Sequence, residues 1–83
     1  QPPYPQSARE AGREGVVYLQ ITIDEYGIPT SAAVYRSSGD RTLDDAAIEG
    51  VKKWRYYPDR QGGRPVVSYR KVRVVFSLND DQQ

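Results

Sequence analysis

The chain has 83 residues, 37% of them hydrophobic, with 12 Lys and Arg against 11 Asp and Glu. That length holds one small domain, near the lower range at which a single core sustains itself. With no cysteine and no histidine, disulfides, thiolate nucleophiles, Cys-based zinc sites and the commonest general base are all excluded.

The absence of methionine leads us to expect a piece of a longer polypeptide. No run approaches the roughly 18–20 apolar residues of a membrane span. The net charge of +1 hides an asymmetry. From Lys52 to Arg73 the bases Lys52, Lys53, Arg55, Arg60, Arg64, Arg70, Lys71 and Arg73 face only Asp59, while acids dominate before Lys52. A basic half suits nucleic acid, an anionic membrane face or an acidic peptide, and equally a merely solvated surface.

In chain order, Gln1-Pro2-Pro3-Tyr4-Pro5 is a stiff, extended lead-in, because proline fixes φ and pushes its predecessor toward extended backbone. Residues 5–12 fit a short helix, with Pro5 near its first turn and Gly12 at its end. Residues 16–24 alternate: Val17, Leu19, Ile21 and Ile23 form one face, Tyr18, Gln20 and Thr22 the other. That is a half-buried strand. Asp24 to Gly27 supplies a turn. A second strand runs from about Ile28 to Arg36, and Pro29, which cannot donate to a ladder, places it at a sheet edge.

The main helix begins near Thr42, whose spacing to Asp45 resembles a capping box. Leu43, Ala47, Val51 and Trp54 form its apolar stripe, with Ala46 and Gly50 beside it. Pro58 is expected to stop it, and residues 59–65 to form a loop. The last strand starts near Val66, with Val72, Val74, Phe76 and Leu78 in its apolar phase.

The resulting fold is α+β, in the order α-β-β-α-β, with no internal repeat or second domain. A three-stranded antiparallel sheet carries the long helix and the short N-terminal helix on one face. A crossover passing over the first strand sets the last strand beside it, which makes the first strand central. A single domain therefore covers residues 1–83, with 1–5 as lead-in and 79–83 as a polar tail. Residues 68–78 form an open edge, where Arg70, Lys71 and Arg73 discourage promiscuous pairing.

Candidate chemistry is sparse. Ser37-Ser38-Gly39 reads as a turn, since no His or Cys exists to activate a serine. Asp44 and Asp45 read as helix-start electrostatics. Gly62-Gly63 lacks the pattern that cradles phosphate. Trp54 reads as the large filler of the core. No enzymatic activity and no cofactor are expected.

These residues carry a resemblance. Gln1-Pro2-Pro3-Tyr4-Pro5, followed by Ala8, Gly12 and Gly15, looks like the "QPxYP" start of the C-terminal domain family of TonB, the periplasmic energy transducer of Gram-negative bacteria. Asp24 and Gly27 fit its hairpin turn. Ser37-Ser38-Gly39, Leu43-Asp44-Asp45-Ala46-Ala47, Trp54-Arg55-Tyr56-Tyr57-Pro58 and Gly63-Arg64-Pro65-Val66 look like its "SSG", "LDxAA", "WRxxP" and "GxPV" signatures. Together they run in register from Gln1 to about Leu78.

The resemblance implies a periplasmic domain whose parent is anchored in the inner membrane and meets an energising complex there through its N-terminal part. It also implies that the domain docks the N-terminal box of a TonB-dependent outer-membrane transporter. Uptake of iron-siderophores, haem or vitamins would follow from that work. The edge accounts for docking by strand addition, through the backbone and side chains of Arg70, Lys71, Val72, Arg73, Val74, Val75 and Phe76. Gln1, Pro2, Tyr4 and Pro5 are expected to add contacts beside the guest, being unneeded for the core. Other readings stay open: a similar domain of another envelope system such as the Tol machinery, a homodimer through the same edge, or a nucleic-acid-binding sheet with Tyr18, Tyr35 and Tyr69 as stacking platform. The acidic first half argues against nucleic acid as a partner.

Overall fold

The computed structural model describes residues 3–78. Gln1, Pro2 and the 79–83 tail lie outside the described residues. Its elements are α1 (Gln6–Glu10), β1 (Gly15–Ile23), β2 (Pro29–Arg36), α2 (Arg41–Lys53), β3 (Arg60–Gln61), β4 (Arg64–Pro65) and β5 (Ser68–Phe76). The main sheet has the order β2-β1-β5, antiparallel throughout. The central position of β1, its alternating face and the two edge strands are as the periodicity predicts.

The core follows directly from the two periods. Val17, Leu19, Ile21 and Ile23 of β1 are fully buried, and Val74 and Phe76 of β5 join them. Leu43, Ala47 and Val51 of α2 and Ala8 of α1 close over that face. The opposite face carries Gln20, Ala33, Tyr35, Tyr69, Lys71 and Arg73, all exposed. One layer of helix therefore covers one side of one sheet.

Several local details differ from the sequence reading. The N-cap of α2 is Asp40, whose carboxylate accepts the Thr42 N–H at 2.9 Å. The Thr42–Asp45 box is not used, because Asp40, two residues earlier, already accepts the Thr42 N–H. The helix also ends at Lys53, well before Pro58. Trp54 is already extended, and the released Val51 carbonyl accepts both the Trp54 N–H at 3.4 Å and the Tyr56 hydroxyl at 2.8 Å. Trp54 is accordingly a half-buried residue packed against the core beyond the helix, and not a member of the helical stripe.

Residues 59–65 are more ordered than a loop. β3 and β4 pair as a two-residue hairpin turned by Gly62 and Gly63, both at positive φ. The final strand begins at Ser68, because Ser68 is occupied locally. Its buried hydroxyl donates to the Val66 carbonyl and accepts the Asp59 N–H at 2.7 Å. The β1–β2 turn is pinned too: Asp24 accepts the N–H groups of Tyr26 and Ile28 at 2.9 Å each.

Candidate functional site: the open edge of the sheet

Among the described residues β5 pairs with β1 on one side only, through nine consecutive residue pairs from Gly15–Phe76 to Ile23–Ser68. The register has no break along that length. β2, the other edge, is built differently. Its pairing with β1 shifts between Thr22 and Ile23, and again between Tyr18 and Leu19. Pro29 at its first position removes a donor as well. Bulges and proline are the means by which edge strands avoid pairing, so β2 is a poor template and β5 a good one.

The side chains of β5 divide by phase. Val72 packs on the core, and Val74 and Phe76 are buried in it. Only their backbone groups remain for a guest strand. Lys71, Arg73 and Val75 stand on the opposite, solvent-facing phase. Lys71 reaches across β1, its Nζ lying 5.1 Å from the centroid of the Tyr35 ring. Arg36 sits over Tyr18 in the same way at 5.4 Å, and the two tyrosine rings are 6.1 Å apart. Both basic groups thereby keep the outer face aromatic and positive.

Arg70 is the exception among the edge cations. It lies on the helix-facing phase, donates to the Tyr57 carbonyl at 3.0 Å and pairs with Asp59 at 3.3 Å. Its charge is committed to the segment that leads into the small hairpin. The neighbouring Tyr56 phenol is held above its ordinary value by burial, with Arg70 opposing the shift weakly. The neutral phenol is the form that donates to Val51.

The lead-in departs from expectation. Tyr4 belongs to the packed structure: its ring meets Phe76 edge-to-face at 5.3 Å, and its hydroxyl donates to the Arg13 carbonyl. Pro5 caps α1 and its carbonyl accepts the Arg9 N–H at 2.9 Å. A segment read as dispensable for the core is thus fastened to the C-terminal end of β5. Proline stiffness alone gave no hint of which surface Tyr4 would find.

Two supports were invisible in the sequence. Glu14 accepts the Leu78 N–H at 2.9 Å, clamping the chain just past β5 to the start of β1. A carboxylate and an N–H 64 residues apart leave no periodic signal. Before α2, Asp44 accepts from the Ser37 hydroxyl, the Ser38 N–H and the Ser38 hydroxyl. Burial pushes its carboxyl upward, but these three bonds outweigh burial and leave it below its ordinary value. "SSG" and "LDxAA" are therefore two halves of one turn. Among the described residues no cluster of His, Cys, Asp and Glu could hold a metal ion.

A three-stranded sheet with helices on one face and, among the described residues, one regular edge left open defines a small α+β domain. The chain matches the family described as Gram-negative bacterial TonB protein C-terminal over residues 1–78, and it belongs to that family. The protein tonB2 of Pseudomonas aeruginosa is 36% identical over 78 residues, covering 94% of this chain and 29% of that protein. Protein TonB of Vibrio cholerae is likewise 36% identical, with 94% and 32% covered. The chain thus spans about a third of the length of these curated relatives. Among solved structures, the Pseudomonas aeruginosa TonB C-terminal domain superposes with a TM-score of 0.79 at 29% identity, covering 94% of this chain and 79% of that one. The TonB2 protein of Vibrio anguillarum gives 0.71 at 32% identity, covering 93% and 74%.

Proposed function

We propose that this domain docks an extended segment of an outer-membrane transporter along the open edge of β5. Its parent protein is an inner-membrane-anchored energy transducer working in the periplasm, and the docked strand is the handle on which it pulls to drive nutrient uptake. The observation that carries this reading is the contrast between the edges: nine unbroken pairs behind β5, against two register breaks and a proline in β2. An added strand would gain main-chain hydrogen bonds from β5 and selectivity from Lys71, Arg73 and Val75. Lys71 and Arg73 favour a guest with acidic residues near the pairing segment.

The architecture suits a mechanical load. A force along the strand direction stretches several backbone bonds together, so no single bond carries it. β5 is held behind the guest by its full-length pairing with β1, by Tyr4 against Phe76 and by Glu14 on the Leu78 N–H. Isothermal titration of a transporter-box peptide tests the reading. Proline placed in β5 where its N–H points outward should abolish binding and leave the melting curve intact, whereas proline at the inward-pointing alternate positions should unfold the domain. Binding that survives every folded proline variant would remove strand addition as the mode.

A further inference from the structure

The described residues include seven large hydrophobic side chains that are exposed, and five of them collect at one end of the molecule: Tyr26, Ile28, Tyr57, Val67 and Tyr69. That end is where β1 finishes, β2 starts and β5 begins. The Tyr56 N–H donates to the Gly27 carbonyl, Arg70 holds the Tyr57 carbonyl, and Val66 donates to Asp59, so the turn, the post-helix segment and the small hairpin are tied together there. Tyr26 is 83% and Tyr57 93% exposed. Side chains that open stand on a convex tip, not in a groove.

The same tip is basic. Lys52, Lys53, Arg55, Arg60 and Arg64 are exposed around it. Of the nearby acids, Asp59 is paired with Arg70 and Asp24 accepts two backbone N–H groups, which leaves Glu25 and Glu49, the latter one turn before Lys52 and Lys53. None of these aromatics is needed by the core, and none lies on the β5 strand-addition phase except Tyr69 at its far start.

We propose that this tip is a membrane-contacting surface that seats on an anionic phospholipid leaflet. Tyrosine is suited to the headgroup level, with an apolar ring and a polar end. Lysine and arginine beside it are attracted to lipid phosphates within a Debye length of the surface. A convex cluster of three tyrosines with basic neighbours matches a lipid interface better than a protein partner, which would offer a pocket for each anchor. A second copy is disfavoured because it would press like charges together. The contact is peripheral and reversible, and it leaves the open edge of β5 free.

Co-sedimentation with large unilamellar vesicles tests the proposal, comparing phosphatidylglycerol-containing with pure phosphatidylcholine membranes at low and high salt. The chain should bind the anionic vesicles only, and release in high salt. Tyr26→Ser with Tyr57→Ser, and separately Arg60→Gln with Arg64→Gln, should each weaken binding at least fivefold. Arg36→Gln with Arg41→Gln removes the same two charges at the other end and should leave binding unchanged. All of these side chains are exposed, and thermal melting verifies that each variant folds. Absence of binding to anionic vesicles, or an equal loss in the Arg36/Arg41 control, overturns the proposal. So does tight binding of polyglutamate at the tip in the absence of vesicle binding, which would identify an acidic protein as the partner.

Discussion

Tyr4 and Phe76 meet edge-to-face with ring centroids 5.3 Å apart, which fastens the N-terminal lead-in to the last residue of the edge strand. The contact joins opposite ends of the described chain and fixes where β5 stops. Tyr4→Ala should therefore destabilise the domain by about 2 kcal/mol, a half-buried share of the usual aromatic truncation cost. Tyr4→Phe keeps the ring and loses only the bond to the Arg13 carbonyl, at about 1 kcal/mol. Urea denaturation of both variants checks the difference.

Gly27 provides a sharper test of the fold. Its φ is +86°, and an added Cβ would lie 2.1 Å from the Tyr56 carbonyl oxygen. That oxygen belongs to backbone, so it cannot swing aside. Gly27→Ala should cost upwards of 3 kcal/mol, combining left-handed strain with a forced shift of the 54–58 segment. Gly62 has a positive φ but open space around its Cβ position, so Gly62→Ala should cost only about 1 kcal/mol. Melting temperatures of the pair should separate clearly.

Trp54 lies beyond the helix, half-buried, with its ring 6.3 Å from that of Tyr56. Trp54→Ala should cost roughly 2 kcal/mol, below the range for a fully enclosed aromatic, and should leave the domain folded at room temperature. A melting curve that is unchanged while peptide affinity falls would assign Trp54 to the partner instead.

Acid should loosen the start of α2. Asp44 is lowered from its ordinary value of 3.8, so the unfolded chain binds its proton first as pH falls. The stabilisation is complete above the unfolded value and is lost as pH drops through the lower, folded one. Asp44→Asn should be less stable than the parent at neutral pH, and the gap should narrow below about pH 4. Denaturant midpoints measured from pH 7 to pH 2 check the sign.

Much of this was readable in the residues. β1 and the α2 stripe were legible because both bury one face, so their periods of two and near four are written into Val17–Ile23 and Leu43–Val51. The central position of β1 followed from the crossover that sets the last strand beside it. The boundaries were less legible. Asp40 displaced the expected cap because either its carboxylate or that of Asp45 can accept the Thr42 N–H, and only the backbone course decides between them. Tyr4 against Phe76 and Glu14 against Leu78 are contacts between chain ends, and local pattern carries no information about them. At the edge, the sequence marked β5 as an edge strand but not how its cations divide: Arg70 looks like Lys71 and Arg73 until its phase turns it toward Asp59.

The central claim is that β5, and not β2, receives a guest strand. Backbone amide shift mapping by NMR, with a transporter-box peptide added stepwise, tests it most directly. Perturbations should concentrate on Arg70 to Phe76, with amides from Thr30 to Tyr35 unmoved. Perturbations centred on β2, or confined to side chains of the Tyr18–Tyr35 face with β5 amides unchanged, would contradict it.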